Sequence, residues 1–326
     1  MYIESLKFSL WADFIEREYL DKEFKALIES GTINGATSNP AIFKNAILNS
    51  AAYKTQLNSL GDISAKEKYE AVAIYDIQKA ADILRPLYEK GDDGYVSIEV
   101  DPFLCDDAAA TIAEGKRLYK AIERPNVMIK VPATEAGYEA MEALSAEGIA
   151  INATLIFKKS QALACASAFE RGIKKYGSSV DTVISVFVSR IDRALDAILK
   201  EKGIPTALSG IYNSAAIYAA VEGVGVPNCR TLFASTGVKD DSLSAHYYIE
   251  KLLAYNSVNT APVDTITAFK SAGTTEPQLP IPSTVIQNHF DAIRDAGIDF
   301  ETLLDQQIED GLVAFKDAFR DILEAL

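Results

Sequence analysis

The chain predicts an α/β protein folded as one (β/α)8 TIM barrel with additional helices, notably at the C-terminus. Three observations carry that expectation. Strand-like and helical patterns alternate eight times along 326 residues, which points to a parallel sheet with crossover helices. No Gly-x-Gly-x-x-Gly or Walker-type loop follows the first strand, which removes the usual nucleotide-binding versions of an open doubly wound sheet. Eight repeats in a chain longer than about 250 residues favour the closed barrel. No linker, low-complexity segment or short repeat divides the sequence, so residues 1–326 are expected to form a single domain.

The eight strands are expected at residues 9–13, 35–39, 95–101, 127–132, 149–155, 182–189, 231–235 and 257–261. A helical pattern over 14–30, ended by Gly31, follows the first. Ser64-Ala65-Lys66-Glu67 is a capping box that opens a helix toward Leu84. Further helices are expected at 108–122, at 134–146 before Gly148, at 159–171 before Gly172 and at 191–200 before Gly203. Glycine just past each end is the expected C-terminal signal. Later helices are expected at 214–221, 242–253, 284–295 and 300–326, the last interrupted at Gly311. Residues 203–229 have the least defined register.

Side chains alternate faces along a strand, and a strand buried on both faces should be apolar throughout. Several of these are not. Ser97, Glu99 and Asp101 share one face of the third strand, opposite Val96, Ile98 and Val100. Asn152 and Thr154 share a face of the fifth, and Ser185, Phe187 and Ser189 a face of the sixth. Trp11 and Asp13 pair in this way, as do Thr37 and Asn39. In a barrel the aliphatic face meets the helices, so the polar set converges inside, near the C-terminal mouth where such barrels carry their sites. A single Asn, Ser or Thr at a strand end is more often a helix cap or turn former. The shared phase of five or six strands is not explained in that way.

Lys130 belongs to this set. It lies in Asn126-Val127-Met128-Ile129-Lys130-Val131-Pro132, and lysine is almost never fully buried unless something compensates its charge. Desolvation disfavours the ammonium and leaves an amine able to attack a carbonyl; the plainer alternative is a solvated strand end. One amine, two carboxylates (Asp13 and Glu99) and several hydroxyls and amides are the inventory of an imine-forming aldolase, in which the imine acts as electron sink and a carboxylate takes a hydroxyl proton. No Gly-x-Ser-x-Gly elbow or His/Cys pair supports hydrolysis instead.

Composition excludes other classes. A net charge of −14 argues against nucleic acid and anionic membranes as partners, since both need a basic face. A local cationic cluster still governs small anions, because charges beyond about 8 Å are screened. Cys105, Cys165 and Cys229 are widely spaced and odd in number, which suits reduced thiols in a cytoplasmic protein. His246 and His289 have no neighbouring His or Cys, so a zinc site is not expected. The longest apolar run is too short to span a bilayer, and no basic-then-apolar leader opens the chain.

The motifs, taken together and in order, resemble the transaldolases. They are Gly35-Ala36-Thr37-Ser38-Asn39-Pro40, Ile98-Glu99-Val100-Asp101, Met128-Ile129-Lys130-Val131-Pro132-Ala133-Thr134, Ile151-Asn152-Ala153-Thr154-Leu155-Ile156-Phe157 and Phe187-Val188-Ser189-Arg190-Ile191. Ser9-Leu10-Trp11-Ala12-Asp13 and Ala234-Ser235-Thr236-Gly237 look like the longer bacterial branch of that family. The resemblance implies that Lys130 forms a Schiff base with C2 of a ketose phosphate such as fructose 6-phosphate or sedoheptulose 7-phosphate. Asp13 would take the C4 hydroxyl proton during cleavage. Glu99 would act as acid/base through a water held by Thr154. Asn39, Asn152 and Ser185 would bind the dihydroxyacetone unit, with Thr37 and Phe187 beside it, and Arg190 and Ser235 the phosphate. The three-carbon unit then passes to a second aldose phosphate, as in the non-oxidative pentose phosphate pathway, with no cofactor and no metal. The expected partners are small sugar phosphates, with the protein a cytoplasmic monomer or homodimer.

The chain departs from the pattern in two places. Gly237 stands where an arginine is expected two residues after Ser235, and Ser189 stands where glycine is usual. Lys239 is the expected substitute phosphate ligand, as a point charge rather than a bidentate fork; the plain alternative is a solvated loop lysine. Two rival functions are open: a fructose-6-phosphate aldolase-like enzyme, whose relatives tend to carry Gln for Glu99 and Tyr for Phe187, and a non-catalytic barrel that binds sugar phosphates.

Overall fold

The computed structural model describes every residue except residue 241. Eight strands, β1 (Ser9–Ala12), β2 (Gly35–Thr37), β3 (Tyr95–Glu99), β4 (Val127–Pro132), β5 (Ile151–Ile156), β6 (Thr182–Phe187), β7 (Cys229–Ala234) and β8 (Ser257–Ala261), pair in chain order and close β8 onto β1. Every pairing is parallel. Ahead of β1 lies only a 3-10 turn, Glu4–Leu6. Between β1 and β3 come α1 (Arg17–Asp21), α2 (Glu23–Glu29), α3 (Pro40–Asn49), α4 (Lys54–Ser59) and α5 (Ala65–Glu89). The crossovers up to β7 are α6 (Ala108–Ile122), α7 (Glu135–Ser145), α8 (Lys159–Tyr176), α9 (Ser189–Glu201) and α10 (Ser209–Val224). Then follow α11 (Tyr247–Lys251), α12 (Val263–Ala272), α13 (Ser283–Asp295) and α14 (Phe300–Ala325).

The period-two reading of the strands corresponds to two cores. Leu10, Ile98, Ile129, Ala153 and Val186 belong to the cluster between the sheet and its helices. Trp11, Tyr95, Met128, Val183, Leu232 and Val258 form the other, inside the barrel. The indole of Trp11 fills the space beside Gly35, where a Cβ would stand 2.7 Å from the ring. That filling packs the barrel interior beside the first residue of β2.

Strand ends fall short of expectation where the polar alternation outruns the hydrogen-bonded ladder. Asp13, Asn39, Asp101 and Ser189 all lie just past their strands. The helix expected over 14–30 is two, broken at Lys22, and Glu16 caps the first by accepting from the Tyr19 amide at 2.9 Å. The capping box at Ser64 is present, but its helix runs to Glu89. Helix α3 was not expected, although Pro40 after Asn39 is a starting signal.

Two glycines expected to stop helices do not. Helix α8 passes Gly172 and ends at Gly177, whose φ is 79°. A Cβ on Gly172 would meet Ser145 Oγ at 1.9 Å, so this glycine permits close approach of α7. Helix α14 likewise continues through Gly311, where a Cβ would lie 2.9 Å from Leu155 Cδ2. In the poorly defined 203–229 stretch, α10 extends well beyond the expected 214–221, whereas α11 is shorter than the expected 242–253.

Candidate active site

Register sets the site. Glu99 on β3, Lys130 on β4 and Asn152 on β5 are consecutive partners across the ladders, and Pro132 pairs with Thr154 one step nearer the mouth. Lys130 is buried, with 5% of its surface exposed. Its Nζ donates to the Ser38 carbonyl at 3.1 Å and lies 3.5 Å from Glu99 Oε2. The ring of Phe315 on α14 covers it at 5.8 Å. Burial pushes Glu99 up to about 7, against the opposing pull of the Lys130 ammonium. Neither Glu99 oxygen nor Thr154 Oγ1 has a hydrogen-bond partner within the protein, and all three atoms are buried.

Asp13 sits one residue past β1, its amide donating to Ala261 O at 2.9 Å. Thr37 Oγ1 donates to Asp13 Oδ1 at 2.7 Å. Burial raises the Asp13 carboxyl above its ordinary value, while Lys130 and the Thr37 hydrogen bond act in the opposite direction. Asn39 has two duties. Its Oδ1 caps α3 by accepting from the Ile42 amide at 3.0 Å, yet the residue also lines the cavity. Ser185 donates to Asn152 Oδ1 at 2.6 Å, and Asn152 Nδ2 donates to Ser97 Oγ at 3.0 Å. With its proton committed to Asn152, Ser185 offers only lone pairs to the cavity.

The cavity at the C-terminal mouth gathers Asp13, Thr37, Asn39, Lys130, Thr154, Ser185, Phe187, Arg190 and Ser235 from six strands and their following loops. Glu99 and Asn152 are buried and are not among the lining side chains. Lys239 is exposed on the loop after β7 and is not among the lining side chains. The Arg190 side chain makes no hydrogen bond or ion pair with any other described residue, and its guanidinium rests 5.2 Å from the Phe187 ring centre. Ser235 has a left-handed φ of 55°, and its hydroxyl meets Ser189 Oγ at 3.1 Å. Serine at 189, the first residue of α9, therefore ties the start of that helix to the loop after β7 through its side chain.

The sequence reading left out Ala41, Ala234, Thr260 and Phe315, which also line the cavity. Thr260 was visible in principle, since it follows Val258 by two residues in the inward phase of β8. Phe315 carries no such signal, because a helix periodicity does not say which distant strand it crosses. Gly311 and Phe315 are one turn apart on α14, so one face of that helix both accommodates Leu155 and walls the mouth over Lys130. Among the described residues no group of three or more His, Cys, Asp or Glu is placed to hold a metal ion.

The chain matches the model of the transaldolase/fructose-6-phosphate aldolase family over residues 10–326. It belongs to that family. A transaldolase of Campylobacter jejuni (strain 81-176) is 46% identical over 330 residues, covering 98% of this chain and 99% of the relative. One from Helicobacter pylori (strain 26695) is 43% identical over 320 residues with the same coverage. The family's description spans two activities, and both relatives carry the name of the first. Membership agrees with the closed eight-stranded barrel and with an enzyme of sugar-phosphate metabolism. No helix of the described residues is long and apolar enough to cross a membrane.

Proposed function

We propose that this chain is a transaldolase, moving a dihydroxyacetone unit from sedoheptulose 7-phosphate to glyceraldehyde 3-phosphate to give erythrose 4-phosphate and fructose 6-phosphate. One observation carries the reading: a buried lysine amine shares a barrel-mouth cavity with a carboxylate and an unpaired arginine. The Lys130 amine adds to C2 of the ketose, and the carbinolamine loses water to give an iminium. Asp13 takes the C4 hydroxyl proton, the C3–C4 bond breaks, and its electron pair enters the iminium as an enamine. The released aldose phosphate leaves, and the enamine attacks the aldehyde of the acceptor by the reverse steps. Glu99 and Thr154, both with buried oxygens that lack a hydrogen-bond partner within the protein, suit the family role of holding a water for proton transfer to and from the carbinolamine.

Reduction with borohydride in the presence of fructose 6-phosphate tests this reading. Peptide mapping is expected to find a three-carbon adduct on Lys130. Folded protein without the adduct would remove the enzyme reading and leave the non-catalytic barrel.

The proton-transfer role predicts a pH signature. With Glu99 at about 7, its carboxylate form, the one able to accept a proton, grows as pH rises through that value. The single-turnover rate of imine trapping is expected to rise through an inflection near 7 in the wild type. Glu99→Gln should lose the inflection and slow trapping by about 10²- to 10³-fold. An unchanged inflection in the variant would assign it to another group.

For phosphate, the supporting feature is Arg190, whose donors are uncommitted, with Ser235 beside it in the cavity. A hydrogen-bonded charge is worth about 1.5–3 kcal/mol, so Arg190→Ala should raise KM for the sugar phosphate about 10- to 100-fold. Lys239→Ala, altering an exposed loop residue, should leave KM within about twofold of wild type, since substitutions outside specific contacts have small effects. A large rise for Lys239→Ala would establish it as the substitute for the arginine missing at Gly237.

The aldolase alternative differs in what happens to the enamine, which there is protonated and released. Phe187 presents an apolar ring, packed 5.3 Å from Phe157 and under Arg190, and supplies no proton. Phe187→Tyr is expected to raise release of free dihydroxyacetone relative to transfer, measured by enzymatic assay without acceptor. No change would dissociate that ring from the choice between the two fates. The reading takes residues 1–326 as one cytoplasmic barrel domain, acting as a monomer or homodimer on sugar phosphates, with no role for nucleic acid or membrane.

A further inference from the structure

The hydrogen bonds around Asp13 have a direction. An ionised carboxylate only accepts, so the 2.7 Å contact from Thr37 Oγ1 to Asp13 Oδ1 uses the single proton of Thr37. Thr37 Oγ1 also lies 2.6 Å from Thr260 Oγ1. With its proton spent, Thr37 can only accept there, so Thr260 donates. The three groups line the same cavity, and both threonines are buried. Strand β8 grips Asp13 a second time through the bond from the Asp13 amide to Ala261 O at 2.9 Å. Thr260 is itself held, because the one hydroxyl proton of Thr236 is shared between its carbonyl, 2.9 Å away, and Asn259 Oδ1, 2.8 Å away.

We infer that Thr260 is a positioning residue for the cleavage step, the origin of a one-way hydroxyl relay from Thr260 through Thr37 to Asp13 that occupies Oδ1 and presents Oδ2 to the substrate. The inference rests on the Schiff-base reading. In the step it serves, the C4 hydroxyl proton moves to Asp13 Oδ2 and the C3–C4 electron pair moves into the iminium. The two threonine protons stay where they are, so the relay orients the base without exchanging protons with it. Both orienting contacts come from β8 and β2, while the imine forms on β4. Loss of the relay should therefore slow cleavage and spare imine formation.

The test compares Thr260→Val, which keeps shape and removes the hydroxyl, with Thr260→Ser, which keeps the hydroxyl. Single-turnover cleavage of fructose 6-phosphate and borohydride trapping of its imine are measured on each folded variant. Thr260→Val is expected to cleave about three- to tenfold more slowly, the worth of one ordinary hydrogen bond, with trapping and KM near wild type. Thr260→Ser should recover most of the rate. In an Asp13→Asn background, where the base is already gone, Thr260→Val should cost nothing further. Thr260→Ala replaces the valine variant if that one does not fold. Wild-type cleavage in the hydroxyl-free variant would overturn the inference, as would a serine variant as slow as the valine one. So would trapping that falls in step with cleavage, which marks a general packing defect. Absence of trapping in the wild type would instead sink the Schiff-base reading itself.

Discussion

Lys130→Met is expected to abolish the borohydride adduct and to lower transfer by at least about 10⁴-fold, the scale on which loss of a covalent nucleophile is felt. Lys130 is the one primary amine among the residues lining the cavity, so no neighbour can stand in for it. Methionine keeps an unbranched side chain under the Phe315 ring and removes only the amine and its charge. The consequence for stability depends on pH through Glu99. Its folded carboxyl is already raised to about 7 by burial, and the Lys130 ammonium opposes that rise. Without the ammonium it rises further. A raised carboxyl pKa means that the folded state binds a proton where the unfolded chain, with an ordinary value near 4.5, does not. Stability from this group therefore falls as pH rises above about 4.5, and in the variant the fall continues past 7. Melting temperatures at pH 5 and pH 8 should show the variant comparing best with wild type at pH 5 and worst at pH 8. A pH-independent difference would mean that the two side chains do not interact despite their 3.5 Å separation. An adduct that survives the substitution would place the Schiff base on another amine.

What was legible in the sequence was the part governed by local periodicity. The alternation in Ile98-Glu99-Val100 and Ile129-Lys130-Val131 is fixed by strand geometry, so it put Glu99 and Lys130 on the inward face before any register was known, and the ladder then made them neighbours. The same alternation overran the strands at Asp13 and Asn39, because side-chain phase persists where hydrogen bonding has stopped. Asn39 also shows that the plain reading and the functional one need not compete: its Oδ1 caps α3 while the residue faces the cavity. Glycine was misread at Gly172 and Gly311, because a glycine needed for close approach and one needed for a left-handed turn are the same letter. Phe315 was beyond reach for a different reason. Its placement depends on how α14 crosses the barrel mouth, a packing outcome between segments far apart in the chain. Lys239 was proposed to fill a missing charge, but a loop position says nothing about where its side chain points.

Asp13→Asn should separate the two halves of the reaction. The amide keeps the size of the carboxylate, and its oxygen can still accept from Thr37, whose bond to Oδ1 is 2.7 Å in the wild type. It cannot take up a proton at the cavity-facing position. Cleavage of fructose 6-phosphate is expected to slow by about 10³- to 10⁴-fold, the upper part of the range for a general base, while imine formation on Lys130 continues. The trapped species should change in consequence. The wild type is expected to yield a three-carbon adduct because cleavage precedes reduction, whereas Asp13→Asn should accumulate the uncleaved six-carbon adduct on the same lysine. Asp13→Ala should do the same, with a larger disturbance because Thr37 loses its acceptor. Mass spectrometry of the Lys130 peptide reads the distinction directly. A three-carbon adduct formed at the wild-type rate in Asp13→Asn would remove Asp13 from the proton transfer. Loss of both adducts would mean that Asp13 is needed for imine formation as well. The first outcome would leave Glu99, 3.5 Å from Lys130 but not among the lining side chains, as the remaining carboxylate near the amine. The resemblance to the transaldolases is what assigns cleavage to Asp13 and carbinolamine chemistry to Glu99, and the place of Asp13 in the cavity lining supports that division.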